Sequence, residues 1–424
     1  MPAKHFSRRT LFSAVFVATA YFVIAVDTSS AQVYSKEKIY RYLKAQQNPQ
    51  TGLVNSFTDT ADEMLLHQAS TYDQSLAAMT FLLNNDLEAA ASILNFFHAK
   101  WTGVGFANFY HTKTGDVGLE TTTHLGPNAW IAIAALQYDA ITGRRRFYEL
   151  ACKIALWIAQ LPQDSAGGLA MGPWADWGAN WREIFSSENN ISAFGVFAGI
   201  QPVTFDSGQK AVFDRKAAGI KAFLKQKIFA RKPRIPVGPD NAVMASDVFA
   251  FALLAFSPGD LESVLGVSAQ EMFTILEENF FVDTDDIVGY DFTDKVSRQS
   301  FERQPMISIE WSAMIALAYL RVGNYFAQLA DLMNDQAVSQ EAVTMSNKAA
   351  IIVQNLDQKA IMRGHQQMVY PYATKAWEQV FPFAPWWRTP QRGERGRLAG
   401  SLSGTCWRVF IEEQFNPFQF TRSR

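Results

Sequence analysis

The sequence predicts an all-α fold, a ring of six helical hairpins filling residues 32–424, and three observations predict it. One kind of opening recurs along the chain: a loop, then a polar or acidic residue, then an apolar helix rich in small residues. The openings are Thr71-Tyr72-Asp73-Gln74, Gly126-Pro127-Asn128-Ala129, Ser187-Glu188-Asn189-Asn190, Ala245-Ser246-Asp247-Val248, Ile309-Glu310-Trp311-Ser312 and, more weakly, Ser401-Leu402-Ser403-Gly404. Equivalent positions are spaced by about 55, 60, 59, 63 and 93 residues, a loose helical-hairpin period. The second observation is the alternation of helix types. The runs 76–83, 130–136, 191–200, 249–256 and 314–320 carry almost no charge on any face, the mark of a buried helix. Their partners, such as 205–229 with Lys210, Arg215, Lys216, Lys221 and Lys225, carry charge along one face and read as an outer, solvated ring. Third, no Gly/Ser- or Pro-rich linker divides the chain, and 48% apolar content with 33 Phe and 11 Trp supplies one large core.

Residues 1–31 are set aside as an export signal. Ser7-Arg8-Arg9-Thr10-Leu11-Phe12 is a twin-arginine-like start, and the apolar stretch 11–26 is shorter than the roughly 20 residues a spanning helix needs. Ser29-Ser30-Ala31 supplies small residues for cleavage before Gln32. A periplasmic or secreted protein with no stable membrane span after cleavage is expected, an uncleaved anchor being the alternative.

The elements then follow in order. A helix over 36–47 ends at Asn48-Pro49-Gln50-Thr51-Gly52. Helices over 72–84 and 87–101 precede a long Gly- and Thr-rich loop carrying Phe106, Phe109, Tyr110, His111 and His124. Helices 128–142 and 145–161 break at Gly143, and the loop 167–185 carries Trp174, Trp177 and Trp181. Next come 189–199 and 206–229, a break at 233–239, and 246–256 with 261–281 across Pro258-Gly259. An Asp-rich loop, 282–305, holds Tyr290, Asp291 and Arg303. Helices 307–322, 324–335 and 338–359 follow, then a loop with Tyr370, Tyr372, Trp377, Trp386 and Trp387, and a last helix over 402–414. Inner helices that all run one way place their N-termini on one rim, reached by the long aromatic loops, and loops on a rigid scaffold are where function concentrates.

A net charge of −2 argues against nucleic acid as a partner. Arg144-Arg145-Arg146, the Arg231, Lys232, Arg234 group and residues 388–397 read as solvated surface. Cys152 and Cys406, far apart and inside predicted helices, read as independent core thiols. Asp283, Asp285 and Asp286 lack the Gly and terminal Glu of a calcium loop and read as solvated. There is no phosphate loop, serine elbow or zinc motif, and no metal or cofactor is expected.

Six hairpins in this order resemble the six-hairpin glycosidase superfamily, the (α/α)6 toroids. The openings quoted above look like its inner-helix starts. Gly404-Thr405-Cys406-Trp407-Arg408-Val409-Phe410, with Phe415-Asn416-Pro417-Phe418, resembles the last inner helix of exported bacterial members. No particular family within it is placed. The resemblance implies a carbohydrate-active enzyme, and the superfamily also holds lyases, phosphorylases, epimerases and non-catalytic relatives.

Glycoside hydrolysis needs two carboxylates flanking the scissile bond, one protonated and one ionised. Asp73, Glu188, Asp247 and Glu310 each open an inner helix. An acid there can serve merely as a cap, but capping alone would take Ser and Thr equally well. Glu188 follows a Trp-rich loop whose apolar surroundings would raise its pKa, and is the candidate acid. Glu310 beside Trp311 is comparable, and Asp73 is a base or sugar-holding group. Tyr72, Asn128, Trp130, Trp174, Trp177, Trp181, Asn189, Asp247 and Trp311 are the candidate substrate-binding residues, flat rings being suited to stacking on sugar faces. Trp386 and Trp387 read as a lid packed over the core. A hydrolase acting on a polysaccharide or oligosaccharide is the leading expectation. A lyase or epimerase on a uronate-bearing polymer, using His124, Tyr290 and Arg303, is the nearest alternative, and a non-catalytic glycan-binding or exopolysaccharide-assembly protein the third.

Overall fold

Helices that are apolar on every side can lie only inside, and the twelve long helices described sort accordingly. The computed structural model describes residues 34–420 except 177, 285, 382 and 383. All fall in the compact unit Gln32–Arg424, and the expected signal segment, cleavage site and Trp177 lie outside the described residues. The inner helices are α2 (Thr71–Leu83), α4 (Leu125–Thr142), α6 (Ser187–Ile200), α8 (Ser246–Ala255), α10 (Ile309–Met333) and α12 (Leu402–Glu412). Each packs on the next, and α12 packs back on α2, which closes the ring. Outside them lie α3 (Leu87–Lys100), α5 (Tyr148–Gln160), α7 (Ser207–Phe223), α9 (Ala269–Phe280) and α11 (Gln336–Asp357). The twelfth, α1 (Lys36–Gln46), packs against α12 and α2, so the two ends of the chain make the sixth pair. The fold is an (α/α)6 toroid. Its middle is filled by Trp130, whose ring lies 5.2–5.9 Å from those of Tyr72, Phe251, Trp407 and Phe418.

Some boundaries differ from the expectation. The expected helices 307–322 and 324–335 are one helix, α10, of 25 residues. Gly323 does not end it; a Cβ there would stand 3.2 Å from the Ala342 carbonyl oxygen and from Met345 Cβ, so glycine lets α11 approach closely. The stop comes at Asn334 in left-handed conformation (φ 51°). Conversely, the expected 261–281 helix breaks at Gly266 into Leu261–Leu265 and α9. Helix α4 begins at Leu125, a turn before the expected start.

The aromatic loops also contain short antiparallel strands, because extended chain at the rim satisfies its backbone groups by pairing. Phe57–Thr58, Gly400–Ser401, Gln367–Pro371 and Ile361–Arg363 form a four-stranded sheet in that order. Two-stranded pairs join Gln68–Ser70 to Phe109–His111 and Gln379–Phe381 to Ala384–Arg388. Cys152 and Cys406 are both buried and free. No described helix is long and apolar enough to cross a membrane.

Candidate active site

The inner helices run the same way, and their first turns surround a cavity of about 570 Å³. All six contribute. Tyr72 and Asp73 come from α2, His124 from the residue before α4, and Glu188 and Asn189 from α6. Asp247 comes from α8, Glu310 and Trp311 from α10, and Ser403 from α12. Phe57, Phe109, Trp181, Tyr372, Phe381 and Trp387 from the rim loops wall it in. The four acids singled out from the sequence are therefore brought together. Six convergent helix N-termini also lend partial positive charge to the carboxylates between them.

Two of these acids are held by matching relays. Trp130 Nε1–H donates to Ser192 Oγ at 3.1 Å, and Ser192 O–H donates to Glu188 Oε1 at 3.1 Å. Trp407 Nε1–H donates to the Tyr72 hydroxyl at 2.9 Å, and Tyr72 O–H donates to Glu310 Oε1 at 2.7 Å. Ser403 O–H donates to the other oxygen of Glu310, Oε2, also at 2.7 Å. Glu310 thus has a donor on each oxygen, Glu188 on one.

The consequence is a graded set of carboxyls. Burial, against the Ser192 hydrogen bond and with help from the Glu310 charge, pushes Glu188 up to about 7. Asp73 is pushed up to about 8, chiefly by burial, with Ser56 opposing and Glu310 adding. Burial and then the charge of Glu188 hold Asp247 well above the usual carboxylate range, against a hydrogen bond from the Val248 N–H. Burial raises Glu310 too, but Ser403 and Tyr72 oppose it. Glu310 is accordingly the acid best supported as an anion, and Glu188 is close to half-protonated near neutral pH.

The remaining candidates divide. Trp181, Asn189 and Trp311 line the cavity. Asn189 also acts structurally: its Oδ1 accepts the Gly126 N–H at the start of α4, and a Cβ on Gly126 would collide with it. Asn128 and Trp130, expected to bind substrate, do not line the cavity and are fully buried. Because α4 starts at Leu125, Asn128 sits one turn inside, where its amide holds Phe106 and the His124 carbonyl. Trp130 reaches the site only through Ser192. Trp174 lies outside the cavity, 37% exposed, with its indole N–H on Asp176. Trp387, expected as a lid on the core, instead lines the cavity and donates to the Tyr372 hydroxyl at 3.1 Å.

His124, named from the sequence for the lyase or epimerase alternative, is at the cavity. Burial lowers its pKa to about 4, so the ring is neutral. The Asn108 amide nitrogen faces Glu120 Oε1, Thr122 Oγ1 and His124 Nδ1, so Nδ1 accepts and the ring proton resides on Nε2. Nε2 is buried and has no hydrogen-bond partner. The other two members of the uronate-processing set are elsewhere. Arg303 is 6% exposed and clamps Asp291 at 2.6 and 3.2 Å, while the Tyr290 hydroxyl donates to Glu277 at 2.9 Å. Neither lines the cavity.

No protein-family model matches the sequence, and no curated protein matches it significantly. Solved structures do resemble the fold. A cellobiose 2-epimerase from Spirochaeta thermophila DSM 6192 superposes with a TM-score of 0.60 at 13% identity, covering 90% of this chain and 94% of that one. A D-mannose isomerase gives 0.56 at 11% identity, covering 89% and 96%. An unsaturated glucuronyl hydrolase specific for heparin gives 0.56 at 9% identity, covering 90% and 95%. At such identity the likeness shows the fold alone, an (α/α)6 toroid.

Proposed function

We propose that this chain is an exported carbohydrate-active enzyme, a glycoside hydrolase acting on a polysaccharide or oligosaccharide through paired carboxylates. The observation that carries the reading is the unequal treatment of two acids in one cavity. Glu188, at about 7, can give a proton to the glycosidic oxygen, while Glu310, with a hydroxyl donor on each oxygen, supplies the anion in the same cavity. Asp73, protonated to about pH 8, can donate to a sugar hydroxyl. Trp181, Trp311, Tyr372 and Trp387 offer ring faces for stacking. The twin-arginine-like start supports export.

A sugar epimerase or isomerase is the second reading, favoured by the neutral, unpartnered His124 ring in the cavity. A lyase on a uronate polymer is poorly supported, since none of the described lining residues is Lys or Arg to neutralise the carboxylate. The test is a glycan panel incubated with the wild-type protein, Glu188→Gln and Glu310→Gln. Hydrolysis predicts new reducing ends that are lost in both variants, without the ultraviolet absorbance of an unsaturated uronate. Sugar interconversion with no gain in reducing ends, abolished by a His124 substitution, would replace it with the epimerase reading. Binding without any product would leave a glycan-binding protein.

A further inference from the structure

Arg321 is a cation that the fold holds without an anion. Arg298, Arg303, Arg363 and Arg408 are buried or half-buried, and each pairs with a carboxylate at 2.6–3.1 Å. Arg321 and Arg397 are half-buried too, yet neither has a salt bridge among the described residues. Of these two, Arg321 lines a cavity, one of about 370 Å³. Burial lowers its pKa to about 10, which leaves the guanidinium charged at neutral pH. Withdrawing a charge from water is costly unless a partner is supplied.

This second cavity lies at the other end of the ring from the carboxylates. Arg321 stands about 16 Å farther along α10 than Glu310. The walls are α10, Ser257 and Pro258 just after α8, and Gln414, Asn416 and Gln419 just after α12. One guanidinium nitrogen is committed: Nη1 donates to the carbonyl oxygens of Leu253 and Phe256, in the last turn of α8. Those contacts fix the side chain at the negative end of a helix. Nε and Nη2 form the opposite edge. They have no partner among the described residues and are not sealed from solvent. That edge is the one that pairs side-on with two oxygens of a carboxylate or phosphate. The lining residues include no Asp or Glu to take it, while the Tyr325 hydroxyl and the Gln328 amide add neutral hydrogen-bonding groups. We propose that this cavity is a second ligand site, for the oxyanion group of a small acidic molecule, taken side-on by Arg321 with Tyr325 and Gln328 beside it.

Calorimetric titration of the purified protein with inorganic phosphate, D-glucuronate and D-glucose tests this. Phosphate, glucuronate or both should bind with a Kd below about 10 mM, more weakly as salt rises. Binding of phosphate alone would identify the group as a phosphoryl, and of glucuronate alone as a carboxylate. Gln328→Glu puts a negative charge into the cavity at an exposed position, away from the contacts that hold α8. It should weaken anion binding roughly tenfold or more and leave any glucose binding unchanged. Arg321→Lys, which keeps the charge but loses the side-on edge, should weaken it as well. Should that variant fail to fold, Gln328→Glu decides. No binding of either anion overturns the inference. So does anion binding that Gln328→Glu leaves untouched, since it would then belong to another site.

Discussion

Replacing Tyr72 with Phe deletes one oxygen and disturbs two partners. The hydroxyl donates to Glu310 Oε1 at 2.7 Å and accepts from Trp407 Nε1 at 2.9 Å. A hydrogen bond to a charged group contributes about 1.5–3 kcal/mol, and one pKa unit corresponds to about 1.4 kcal/mol. Loss of this donor should therefore raise the Glu310 pKa further, because the hydrogen bond from Tyr72 opposes the effect of burial. In the hydrolase reading Glu310 must be ionised and Glu188 protonated, so Glu310 sets the acidic limb of the pH–rate profile and Glu188 the basic limb. The acidic limb of kcat/KM for reducing-end release should then move upward in pH. The basic limb should stay near the Glu188 value of about 7. Stability should fall as well, because the fully buried Trp407 indole N–H loses its acceptor, at a cost of about 1–3 kcal/mol. The loss in Tm should be larger at pH 8 than at pH 5, since the deleted bond is strongest when Glu310 is charged. Ser192→Ala is the counterpart: it removes the donor to Glu188 and should raise the basic limb instead. An acidic limb that stays in place in Tyr72→Phe, while Tm falls, would refute the assignment of Glu310 and leave Tyr72 a purely structural residue.

Glu188→Gln should lower turnover by about 10²–10⁴-fold and change stability in a pH-dependent way. A carboxyl raised to about 7 in the fold stabilises the folded state while protonated, and that contribution disappears as pH rises through 7. The glutamine variant should therefore gain in Tm relative to wild type at pH 8, an advantage that closes by pH 5, as read by scanning calorimetry. Trp181→Ala, which removes a cavity wall, should weaken oligosaccharide binding by about 0.5–1.5 kcal/mol beyond lost contact area, measured by titration. Arg303→Met leaves the fully buried Asp291 without its closest cation and should cost about 3–5 kcal/mol in chemical denaturation. The protein that remains folded should retain its kcat, because neither residue lines the cavity.

The four acids were legible because each follows a loop and precedes an uncharged helix, and that repeated context marks an inner-helix start wherever it falls. The same logic failed at α4. There the start depends on a contact from another hairpin: Asn189 of α6 caps the Gly126 N–H, so the helix begins at Leu125. Asn128 is carried one turn into the core and His124 is left at the rim, a shift of face that no local signal announces. Among the loop tryptophans, Trp174, Trp181 and Trp387 have equally unhelical surroundings. Which of them reach the cavity was decided by how the rim strands pair.

By itself the sequence determined the all-α class, the number of hairpins, the inner and outer helices, and the acids at the inner-helix starts. These follow from hydrophobic periodicity and composition, which act over a few turns and can be read locally. Only the tertiary structure decided that α1 and α12, from opposite ends of the chain, form the closing pair. It alone joined Trp130 through Ser192 to Glu188 and Trp407 through Tyr72 to Glu310, and it alone gathered the four acids of the inner-helix starts into one cavity. Those are relations between residues tens to hundreds of positions apart. Distance along the chain does not encode them, because the ring brings them together only when it closes.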